Sequence, residues 1–110
     1  MEHRQIHQVD CGKQGPYLAD VKGKTLQECY DAVLSVVSGI AGRHRRYGGD
    51  TVAELVFPVM AHMLARAGVA PAPKFLSESF SPVMFAICAG AARQYGTELW
   101  IVHDFWSVEP

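Results

Sequence analysis

Arg43, His44, Arg45 and Arg46 place three of the chain's ten Lys and Arg residues in one short run. Arginine offers a planar fork of donors that suits phosphates and carboxylates alike. Tyr47 follows directly, an aromatic able to stack on a base or pack on a partner. With Trp106, a residue type enriched at binding hot spots, these five form the predicted partner-contact set. The run also falls at the C-terminal side of a predicted helix, where cations stabilise the dipole and the free carbonyls. Both roles are open from sequence.

Other reactive residues do not assemble into a known constellation. His3, His7 and Cys11 stand four apart and would share one face of a helix, a spacing suited to zinc. Gly12 and Gly15 argue against a helix there, and a fourth ligand is not evident, so no metal site is assigned. His103 and Asp104 could form an acid/base pair, but adjacent strand residues point to opposite faces. Ser77, Ser79 and Ser81 lie outside any G-x-S-x-G elbow. Cys29 and Cys88 fall on apolar helical faces, where cysteine acts as a small hydrophobe. Phosphate-binding loops, dinucleotide glycine motifs and H-E-x-x-H are missing, so neither catalytic residues nor a cofactor are expected.

The elements that would hold these residues follow from periodicity. Ile6 to Val9 and Tyr17 to Val21 could be two short strands around a turn at 11–16. Thr25-Leu26-Gln27-Glu28 is a capping box. Behind it Leu26, Cys29, Tyr30, Val33, Val36, Val37 and Ile40 recur at helical spacing, predicting an amphipathic helix that ends near Gly42. Val52, Leu55, Val56, Val59, Met60, Met63, Leu64 and Ala67 predict a second helix from a cap at Asp50 or Thr51, kinked at Pro58 and closed by Gly68. Ala70-Pro71-Ala72-Pro73 reads as a stiff connector. Ser81-Pro82 opens a third helix running to about Tyr95, with Gly96 as its cap. That helix is apolar all round, a pattern of domain centres and oligomer interfaces. Leu99 to Trp106 is rich in strand formers and reads as a buried or half-buried strand.

The predicted fold is α+β: a three-helix layer on a small antiparallel sheet made from the N-terminal strands and the C-terminal strand. An all-α domain is the alternative. The chain of 110 residues fits one domain, 1–110. Net charge is −1, which removes any global field for attracting DNA or anionic lipid. Three cysteines without a C-x-x-C pair suit a reducing compartment. A polar start and the short apolar runs predict a soluble protein of the cytoplasm or host cytoplasm, without membrane insertion.

The functional expectation is a small non-enzymatic protein-interaction module that binds an acidic protein surface and works as a homodimer. Its size and missing motifs parallel inhibitors and adaptors carried by phages and mobile elements. A nucleic-acid-binding regulator using the Arg43–Arg46 corner is the alternative, opposed by Asp50 and Glu54 just beyond it. A small His/Cys enzyme is the second alternative.

Overall fold

The computed structural model describes residue 19 and residues 22–75 and 81–103. The predicted strand at 6–9, that at 17–21 apart from Ala19, the His3/His7/Cys11 set and Trp106 lie outside the described residues. Helix α1 spans Leu26–Arg46, β1 Val52–Leu55, a 3-10 turn Pro58–Met60, α2 Ala61–Arg66, β2 Ala70–Phe75, α3 Ser81–Tyr95 and β3 Val102–His103.

The α+β class holds, with three helices and three strands among the described residues. The sheet is parallel rather than antiparallel, in the order β1-β2-β3, and the all-α alternative fails with it. From β1 onward the elements alternate as two strand-helix-strand units, the connection that parallel pairing requires.

Helix α1 begins as the sequence predicts. The Glu28 amide donates to the Thr25 hydroxyl, and the Glu28 carboxylate accepts from the Thr25 amide at 2.7 Å. That pairing holds the Glu28 carboxyl below its usual range. The helix runs past Gly42 to Arg46, so the Arg run is its last turn and not an interhelical loop. It stops where Gly48 takes a φ of 78°. There the amides of Tyr47 and Gly49 return to the His44 carbonyl, and that of Gly48 to the Arg45 carbonyl.

The predicted helix across 51–67 is instead strand β1, a 3-10 turn and α2. Pro58 does not kink a helix; it opens the 3-10 turn at its first position, where an absent N–H costs nothing. Upstream, Val52 goes to the sheet and Val56 to the bend that follows it. Thr51 caps no helix, and its carbonyl accepts the Ala70 amide at 2.8 Å.

The stiff connector is β2, the central strand. Its register on β1 pairs Ala53 with Pro71 and Leu55 with Pro73. Proline is normally kept out of central strands because it cannot donate. Successive peptide groups in a strand point to opposite sides. The Ala70 amide addresses β1, whereas the Pro71 carbonyl addresses the other side and accepts from the Trp100 amide at 3.1 Å. Pro71 and Pro73 share that parity, so both missing donors fall on the β3 side. There β3 pairs only with Lys74 and Phe75, after the prolines end.

The predicted strand from Leu99 to Trp106 is ordered as β3 only at Val102–His103 among the described residues. Trp100 and Ile101, which belong to opposite faces of a strand read as buried or half-buried, are 51% and 48% exposed.

Helices α2 and α3 pack on each other and on β2. They cover the sheet face of Ala53, Leu55, Pro71 and Pro73, joined by Leu64, Ala65, Met84, Cys88 and Ala91. On the opposite face the Lys74 ammonium pairs with the Glu54 carboxylate at 2.9 Å, beside fully buried Ala72. Among the described residues, nine of the fifteen in the buried hydrophobic core are alanine. Alanine contacts bring backbones close but bury little area each, so the interior gains less from burial than one of leucine or phenylalanine would.

Thr25→Ala is expected to lower stability by about 1 kcal/mol at neutral pH, measured as the urea midpoint. Because folding lowers the Glu28 pKa, its contribution is present in full above the unfolded value and fades as pH falls through the folded one. The difference between wild type and variant should therefore shrink in acid below about pH 4.

Candidate functional site

Four consecutive helical residues cannot share one face, and α1 splits the Arg run accordingly. His44 turns toward β1, where its Nδ1 lies 2.8 Å from the hydroxyl of Thr51, a residue 9% exposed. Arg45 lays its guanidinium on Gly68, so closely that a Cβ there would meet its Nη2. Gly68 ends α2 with a φ of 85°, and the amides of Gly68 and Val69 return to the Ala65 and Leu64 carbonyls. Arg45 thus brings a cation to the carboxyl end of α2 as well as its own helix. All five residues of 43–47 are exposed, Tyr47 at 84%. Of the predicted contact set, His44 and Arg45 join α1 to the strand-helix unit, and Arg43, Arg46 and Tyr47 are left for a partner.

Arg66 makes a second tie between helices. Its guanidinium sits 5.8 Å from the centre of the Tyr30 ring. The hydrogen bond with Tyr30 pushes the guanidinium above its ordinary value.

Parallel strands give the sheet two unlike ends. At the amino end, a cleft of about 280 Å³ is lined by Arg45, Asp50, Thr51, Tyr95, Thr97 and Glu98, with Gly68 and Gly96 in its wall. Helices α2 and α3 both finish there, and the Thr97 amide closes α3 on the Ala92 carbonyl at 3.0 Å. Sequence reasoning missed this cleft because it joins residues from four separate turns. The only local signs were the two helix-ending glycines, Gly68 and Gly96.

Several exposed apolar residues lie at the carboxyl end. Phe57 and Val59, just after β1, are 72% and 87% exposed. The 3-10 turn that carries Val59 contacts α3, whose Val83 is 55% exposed. Phe85 packs its ring 6.4 Å from that of Phe75, with 39% of the residue still open. Helix α3 buries Met84, Cys88, Ala91 and Ala92 and exposes Val83, Ala86 and Gly90, so the all-round apolar pattern leaves one apolar side uncovered.

The described histidines and cysteines stand apart. His44 meets Thr51, His62 meets the edge of Tyr95 at 6.5 Å, and His103 meets Phe75 at 5.6 Å. Cys88 is fully buried, and burial pushes its thiol up, which disfavours the reactive thiolate. Among the described residues, no group of three or more His, Cys, Asp or Glu side chains is placed to hold a metal ion. No described helix is long and apolar enough to cross a membrane. Comparison with protein-family models, with curated proteins and with solved structures finds no match.

Gly68→Ala is expected to cost about 1–2 kcal/mol, because a Cβ at positive φ is strained even if Arg45 moves aside. Arg43→Ala with Arg46→Ala should stay within about 0.5 kcal/mol of wild type. Chemical denaturation of the two variants tests the split; equal losses would contradict it.

Proposed function

We propose that the protein is a small non-enzymatic interaction module of the adaptor or inhibitor type, working as a homodimer on an intracellular partner. One observation carries this reading: the size order of its apolar residues is inverted. Alanines fill most of the described interior, while Phe57, Val59, Val83 and Trp100 remain at the surface. Burying a large apolar side chain is worth about 1.5–3 kcal/mol, several times the value of an alanine methyl. Association is where that unused energy would be recovered. Exposed apolar patches of this kind mark interaction surfaces.

The surface formed by α3 and the 57–59 segment suits self-association. The small Ala86 and Gly90 on α3 permit close approach, and a Cβ added at Gly90 would meet nothing within 4 Å. A two-fold pairing of α3 with its copy would bury Val83 of both protomers. Arg43, Arg46 and Tyr47 project from the far end of α1 and are the groups left for an acidic partner surface. Arginine and tyrosine are both over-represented at hot spots, and rim charges of this kind set on-rate and salt dependence.

Light scattering should give wild type a mass of twice 12.1 kDa, and Val83→Glu with Phe57→Ser a mass of 12.1 kDa with unchanged circular dichroism. A wild type that stays at 12.1 kDa at every concentration up to about 1 mM would remove the homodimer from this reading.

A further inference from the structure

We draw no further inference here: the strongest candidate, the side-chain cluster across the three helices in which the Arg66 guanidinium lies 5.8 Å from the centre of the Tyr30 ring and His62 meets the edge of Tyr95, joins α1, α2 and α3 to one another, and nothing in the structure shows what would bind it.

Discussion

The strand Ala70–Phe75 is the constraint on which the described structure rests. Among the described residues it is the only strand with two neighbours, and both α2 and α3 lie against it. Its first four residues are buried. A strand in that position needs donors toward its full-length neighbour, and Ala-Pro-Ala-Pro keeps them. The alanines bond to β1, while the prolines spend their missing donors on the side where pairing does not begin until Lys74. Small side chains on both faces then let the helices close in. Proline adds stiffness, because its fixed φ removes unfolded-state freedom from a segment that is already extended in the fold.

That choice has consequences elsewhere. A core built of alanine is thin, and the larger apolar residues are displaced to α3 and the carboxyl end of the sheet. The amino end becomes polar because helices end there beside Arg45, Asp50 and Glu98. The chain therefore separates an exposed apolar surface from a cleft lined by charged residues. The Arg run connects to both themes: half of it secures α1 to β1 and α2, and half remains outside.

Where the signals were local, the sequence could be read. Thr25 with Glu28, Ser81-Pro82, Gly68 and Gly96 each mark a helix end by their own chemistry, and each does so in the structure. The mixed class was legible for the same reason. The sheet was not. Val52, Leu55, Val56, Val59, Met60 and Met63 fit a helical period by coincidence, since a four-residue strand and a later helix can share that spacing. Pro58 was the clue, because it divides the segment where the chain changes state. In Ala70-Pro71-Ala72-Pro73 the two-residue spacing of the prolines was the missed sign, for it sends every lost donor to one edge. Parallel pairing depends on contacts distant in sequence, which no local pattern records. The same applies to the cleft, whose walls come from α1, the turn before β1, the end of α2 and the end of α3. Gly42 reads locally as a helix end, which would make the Arg run an exposed corner, whereas the helix continues through it.

Native-state hydrogen exchange at Ala70 and Ala72 tests the central strand most directly. Both amides belong to the β1–β2 pairing and lie in the buried part of β2. The structure requires them to exchange only through global unfolding, among the slowest amides of the protein. Exchange at the rate of exposed loop amides would mean that Ala-Pro-Ala-Pro is a connector after all, and the parallel sheet would fall with it.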